Sequence, residues 1–279
     1  MQTKIFINEF FNICDTLNCG QIFRYTLKDG GYLVYSLDKV AFCKQLPNGV
    51  EISTLDSDMS YFEKFFDLST NYKDIYNSAL SEGGILSVAA KKGKGIRILN
   101  QNCVETLFSF IISQNNNIPR IKKILNALCK NLGQKKQFLG SEYYAFPTVD
   151  ALASKGVDFY KSLGLGYRAP YIKSLADSII NGLDIKIFNS LSTPLLKKQL
   201  TCMYGVGPKV ADCVALFGYH RSDSFPVDTW LEKVYRQDFG GKEVSRNKIT
   251  DFFQSRFKQN SGYFQQYLFY YFRENKINV

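Results

Sequence analysis

The chain has 279 residues, enough for a buried core and, at roughly 150 residues per domain, for two domains. A net charge of +10 and a pI near 9.1 favour a polyanionic partner, nucleic acid before an anionic membrane surface, though abundant residues with A/T-rich codons account for the same balance. One histidine, His220, and seven cysteines without a C-x-x-C pair leave almost no material for a Ser-His-Asp triad, a multi-histidine metal site or a zinc or iron–sulfur cluster.

The first residues, "MQTKIFINEFFNIC", carry an acid inside their apolar stretch and no small-residue cleavage site, and no apolar run reaches a membrane-spanning length. With the cysteines read as reduced thiols, the expected location is the cytoplasm, with no membrane partner. From Ile22 to Leu55 the apolar pattern has period two, interrupted by "KDGG" and "PNG". Asp-Gly-Gly between alternating runs predicts a hairpin, because the turn needs positive φ at its centre. After Asp58 the period becomes helical, and Gly83 and Gly84 break it. "AAKKGKG", Ala89 to Gly95, reads as a basic connector, with the domain boundary between residues 94 and 95.

Beyond that boundary nearly every segment has helical spacing, several opened by proline at the first turn. The predicted fold is therefore α+β: residues 1–94 form a small antiparallel sheet domain with short helices, and 95–279 a helical domain. Within the latter, "LKKQLTCMYGVGPKVADCVALFGY" predicts a helix, a Gly-Val-Gly turn at Gly205 to Gly207, and a second helix from Pro208. Such a turn exposes backbone N–H groups at a helix start and suits a DNA phosphate; an αα-corner with glycine caps fits the spacing equally well. Asp228, in "FPVD", follows Lys209 by 19 residues at the next helix start.

The pairing of "YGVGPKVADC" with "FPVD" resembles the helix-hairpin-helix DNA glycosylases. Adding "CGQIFR" (Cys19–Arg24), "GIRILNQNCVETLFSFIISQNNNIPRI" (Gly95–Ile121) and "LGLGYRAPYI" (Leu163–Ile172) narrows the resemblance to the 8-oxoguanine DNA glycosylase/lyases of the Ogg type, over nearly the whole chain. It implies excision of 8-oxoguanine from duplex DNA, preferably opposite cytosine, by Lys209 as Schiff-base nucleophile and Asp228 as electrostatic partner, followed by β-elimination. A lysine attacks C1′ only as the neutral amine, so its pKa is expected to fall. Without the resemblance, Lys209 also reads as a phosphate-binding lysine and Asp228 as a helix N-cap.

By the same resemblance, Gly20, Cys213, Gln265 and Phe269 form the base pocket, with Gln266 the competing register for Gln265. Asn115 fills the gap left by the flipped base, Tyr167 wedges beside it, and Arg120 and Arg168 donate to the orphan cytosine. Gly205 and Gly207 contact phosphate. The backbone at Thr201, Met203 and Val206 is a candidate structural cation site; no other cofactor is expected, and the protein is expected to be a monomer, nucleoid-associated if bacterial. Trp230 stands where eukaryotic members commonly carry a histidine, which puts one phosphate contact in doubt. Competing readings are a monofunctional alkylbase glycosylase and a non-catalytic hairpin DNA-binding module.

Overall fold

The structure, a computed structural model, describes residues 1–275. Strands β1 (Gln2–Ile7), β2 (Tyr25–Lys28), β3 (Gly31–Ser36), β4 (Lys39–Leu46) and β5 (Gly49–Thr54) form an antiparallel sheet in the order β1-β5-β4-β3-β2. The expected Asp-Gly turn closes β2 onto β3: Lys28 pairs with Gly31, and Asp29 and Gly30 both take positive φ, 47° and 74°. β1 was not foreseen. Its register, Gln2 opposite Thr54, depends on residues far along the chain, and its sequence, QTKIFI, has no apolar–polar alternation: Ile5 and Ile7 lie on the exposed face.

Fourteen α-helices lie among the described residues. Helices α1 (Ile13–Asn18) and α2 (Met59–Phe65) pack on the sheet, burying Ile13, Leu17, Phe62 and Phe65 against Val34, Val50 and Ile52. Helices α3 (Tyr72–Glu82) and α4 (Gly84–Lys92) follow. The latter runs through Lys92, so most of the expected connector is helical and only Gly93 ends it. Ile75, Ala79, Leu86 and Ala89 from these helices join the same core as Leu107, Leu128, Leu175, Val214 and Phe264, so residues from before and after position 95 share one apolar interior.

The remaining helices are α5 (Cys103–Ser113), α6 (Ile118–Leu132), α7 (Val149–Ala153), α8 (Val157–Ser162), α9 (Ala169–Ile180), α10 (Thr193–Thr201), α11 (Pro208–Gly218), α12 (Thr229–Asp238), α13 (Arg246–Phe257) and α14 (Ser261–Glu274). A short hairpin, β6 (Lys135–Phe138) and β7 (Ser141–Tyr144), interrupts the helices after α6. Asn102 and Asn117 cap α5 and α6 by accepting backbone N–H groups, which fixes the ends of the segment between them.

Two buried arginines bind the sheet to the helices. Arg24 donates to Glu105 of α5 at 2.8 Å and to the carbonyl of Tyr144 at 2.7 Å, while the other Glu105 oxygen accepts the Leu37 N–H at 2.5 Å. Arg97, fully buried, donates to the carbonyls of Phe66, Phe10 and Asp67 and lies 4.0 Å from the Tyr72 ring centroid. Truncating either arginine would strand several buried acceptors, each at about 1–3 kcal/mol.

Candidate active site

Helices α10 and α11 are joined by the expected glycine turn. Gly205 has φ of 85°, and a Cβ there would fall 2.3 Å from Cγ of Tyr171. Glycine is required at this position by both conformation and space. Gly207 is the N-cap of α11 with φ of −88° and open space around it, and no side chain caps the first N–H groups of that helix. These donors face outward with Pro208 at the first turn, the arrangement that favours an anion.

Lys209 sits in that first turn, half-buried, its Nζ 5.5 Å from the Phe110 ring centroid. Burial works against its charge, the Cys213 sulfur once ionised and the Asp228 carboxylate work for it, and the balance holds the lysine above its ordinary value. The expected fall is therefore not what the DNA-free protein shows, because desolvation is outweighed by its polar neighbours. Cys213 is pushed up to about 11, chiefly by burial, and so is a thiol near neutral pH. Asp228 caps α12, one oxygen accepting the N–H groups of Trp230 and Leu231 at 3.0 Å each. Burial raises its carboxyl above the usual range, opposed by those two N–H groups and by Lys209. No ion pair within 4.0 Å joins Lys209 to Asp228 among the described residues; the two groups instead face the same cavity.

That cavity, of about 60 Å³, is lined by Lys209, Asp228, Cys213, Gly20, Gln265 and Phe269, with Phe110, Phe217, Cys19, Pro226 and Gln266 completing it. All four residues expected in the base pocket thus meet the two expected catalytic groups. The two glutamines differ in their bonding: Gln266 donates to the carbonyl of Cys19 at 2.5 Å, whereas the buried Oε1 of Gln265 has no partner among the described residues. A buried amide oxygen left unpaired costs free energy and marks a place for a donor from outside. Gly20 has φ of 87°, with Phe269 Cε1 3.0 Å and Arg273 Nη1 3.2 Å from where a Cβ would stand. Helix α14 holds the glycine's turn, through Gln266, through Arg273 to the Asn18 carbonyl, and through Tyr270 to Asp15 at 2.7 Å. As it stands the cavity is too small for a purine, so one or more of the lining side chains must move for a base to enter.

A larger cleft of about 700 Å³ opens outside this cavity, with Lys209 and Asp228 on its floor and Asn115, Tyr167 and Gly207 on its walls. Asn115 is exposed, with φ of 44°, at the tip of the turn between α5 and α6. Tyr167 is 52% exposed and Arg120 is exposed, one Nη2 of the latter donating to the Gly164 carbonyl at 3.3 Å. Arg168 differs: it is buried, stacked 4.4 Å from the Tyr167 ring centroid, and donates to the carbonyls of Gln114, Asn115 and Leu165. In the DNA-free protein it braces the Asn115 turn.

Two further residues line the cleft. Arg246, at the start of α13, lines the cleft while paired with Glu232 at 3.1 Å, and Gln114 joins three elements at once. Neither has a local sequence signal. Trp230 is half-buried against the main core. No His/Cys/Asp/Glu cluster among the described residues could hold a metal ion, all seven cysteines are unpaired, and no described helix is long and apolar enough to cross a membrane.

Comparison with known proteins gives a concordant result. Residues 4–107 match the family described as 8-oxoguanine DNA glycosylase, N-terminal domain, and residues 108–259 the HhH-GPD superfamily base excision DNA repair proteins. An N-glycosylase/DNA lyase of Saccharomyces cerevisiae is 34% identical over 206 residues, 69% of this chain and 54% of that protein. The N-glycosylase/DNA lyase OGG1 of Arabidopsis thaliana is 28% identical over 81% of this chain and 63% of its own. The matched region thus spans less than two thirds of the length of either relative. The Clostridium acetobutylicum 8-oxoguanine glycosylase/lyase, crystallised with double-stranded DNA containing cytosine opposite 8-oxoG, superimposes with a TM-score of 0.92, at 37% identity and 99% coverage of both chains.

Proposed function

Because the chain belongs to the Ogg-type family of helix-hairpin-helix base excision DNA repair proteins, we propose that it excises 8-oxoguanine opposite cytosine and then cleaves the strand, with Lys209 as nucleophile. The observation that carries the reading is the convergence of Lys209, Asp228 and the unpartnered Gln265 oxygen on one cavity. A flipped base that enters it would meet the Gly20 carbonyl, which accepts from the N7 hydrogen of 8-oxoguanine and repels the N7 lone pair of guanine. Gln265 Oε1 would accept from the Watson–Crick edge, and Cys213 and Phe269 would flank the ring.

Lys209 must release its proton before Nζ forms a bond to C1′. As that bond forms, the C1′–N9 bond breaks, the base departs with the electron pair and takes up a proton, and Asp228 offsets positive charge on the sugar. The amine adduct opens to a Schiff base; loss of a C2′ proton then expels the 3′ phosphate by β-elimination. The hairpin N–H groups at Gly205 and Gly207 hold phosphate, and Asn115, Tyr167, Arg120 and Arg168 serve the opposite strand. A cation at the Thr201, Met203 and Val206 carbonyls is part of the proposal. Its donors are uncharged, and the Met203 carbonyl already accepts the Val206 N–H at 3.0 Å, which points to weak binding.

Borohydride reduction during reaction on an 8-oxoguanine·cytosine duplex tests the reading, since it traps the imine covalently. Wild type should trap and Lys209→Gln should not, while both bind the duplex. A wild type that releases base without trapping is a monofunctional glycosylase, and one that binds without release is a DNA-binding module.

A further inference from the structure

Gln114 ends helix α5 and immediately precedes Asn115, and it is bonded at both of its ends. Its backbone carbonyl accepts from Arg168 Nε at 2.7 Å, from Arg168 Nη2, and from the Tyr167 hydroxyl at 3.3 Å. Its side-chain amide donates to the Gly205 carbonyl at 2.8 Å and to its own helix at the Ile111 carbonyl, 3.2 Å. One residue therefore links the glycine hairpin, the Tyr167–Arg168 turn and the tip carrying Asn115. The hairpin and the turn lie 91 and 53 residues from Gln114 in sequence, and the Asn115 tip directly follows it.

The bonds form a closed set. Gly205 cannot retreat from Gln114, because Tyr171 packs against the glycine and Tyr204 lies 4.7 Å from the Tyr171 ring centroid. The turn cannot retreat either, because Arg168 also holds the Asn115 carbonyl at 2.8 Å and fixes that residue at positive φ. A displacement of the hairpin is thus transmitted to the turn through the Gln114 amide, beside the ring contacts that run from Tyr204 through Tyr171 to Tyr167. We propose that Gln114 is a positioning residue, coupling engagement of backbone phosphate at the Gly205 hairpin to insertion of Asn115 into the duplex. The proposal rests on the function assigned above to those two elements. It adds that neither acts alone.

The test compares Gln114→Met, which keeps length and removes the donor, with Gln114→Glu, which keeps shape and sets an acceptor against the Gly205 carbonyl. Each variant is titrated with an undamaged duplex and with a duplex carrying a tetrahydrofuran abasic analogue opposite cytosine. The first reads phosphate engagement and the second adds insertion, and neither needs turnover. In both variants the preference for the abasic duplex should fall roughly tenfold, as for one lost hydrogen bond to a part-buried acceptor, with undamaged-duplex affinity within about twofold. An unchanged preference overturns the proposal, as does an equal loss on both duplexes accompanied by a lowered melting temperature, which marks Gln114 as a structural cap. Failure of the catalytic reading would appear separately, as absence of borohydride trapping by wild type that still prefers the abasic duplex.

Discussion

Replacing Gly205 by alanine tests the hairpin at its most constrained point. The new Cβ would lie 2.3, 2.5 and 2.7 Å from three atoms of Tyr171, at a φ of 85°. A non-glycine residue held in that region costs about 1–3 kcal/mol. Relief of the clash requires Tyr171 to leave Tyr204, whose ring is perpendicular to it at 4.7 Å, forfeiting about 0.5–1.5 kcal/mol more. The expected total is about 1.5–4.5 kcal/mol, read as a shift of the urea midpoint at constant slope. Gly207→Ala is the internal control: its φ is −88° and nothing lies within 4 Å of the added methyl, so its midpoint should move by less than about 0.5 kcal/mol. Preference for an abasic duplex over an undamaged one should also fall in Gly205→Ala, because its carbonyl is the Gln114 acceptor. Equal midpoints for the two alanine variants would refute the steric argument.

Asp228→Asn keeps an oxygen for the Trp230 and Leu231 N–H groups, so its melting temperature should hold while single-turnover excision drops by a hundredfold or so; loss of both would make the carboxylate only a cap. The Lys209 value lies above its unfolded 10.5, so its ammonium favours folding below that pH and the benefit fades as pH rises through the folded value. Urea midpoints of wild type and Lys209→Gln should therefore run parallel below pH 10.5 and shift in the variant's favour above it, and curves parallel throughout would contradict the upward shift. Arg120→Ala should lower excision opposite cytosine at unchanged stability, whereas Arg168→Ala should lower both, since it strands the Gln114 and Asn115 carbonyls; excision against all four opposing bases, with melting curves, separates the two. Log affinity for duplex should fall with log salt at about −0.9 per neutralised phosphate, and a flat response would detach the +10 charge from DNA.

What the sequence made legible was local or carried by paired motifs. The Asp29–Gly30 turn, the proline-opened helices and the Gly205–Gly207 hairpin are dictated by residues with special backbone preferences, and they appear where expected. The pocket residues were reached only through the resemblance, because Gly20 and Gln265 come together across most of the chain. Gln114 escaped notice since its contacts are carbonyls and a side-chain amide, neither of which leaves a pattern. Strand β1 escaped because its partner is β5, beyond three intervening strands. The direction of the Lys209 shift depended on a balance between burial and two neighbours, which spacing alone does not weigh.

The buried pair of Arg24 and Glu105 has a consequence for the nucleic acid rather than for the protein. It anchors the sheet to α5, the helix that ends at Gln114, and the interior it belongs to runs through both halves of the chain. A body braced in this way has no hinge about which to wrap a straight duplex. The bending needed to bring a lesion down to the cleft floor would therefore fall on the DNA, whose stiffness varies with the base steps flanking the lesion. Lesions beside flexible pyrimidine–purine steps would then be removed faster than the same lesions inside stiff A-tracts, a context dependence arising at bases the protein never touches.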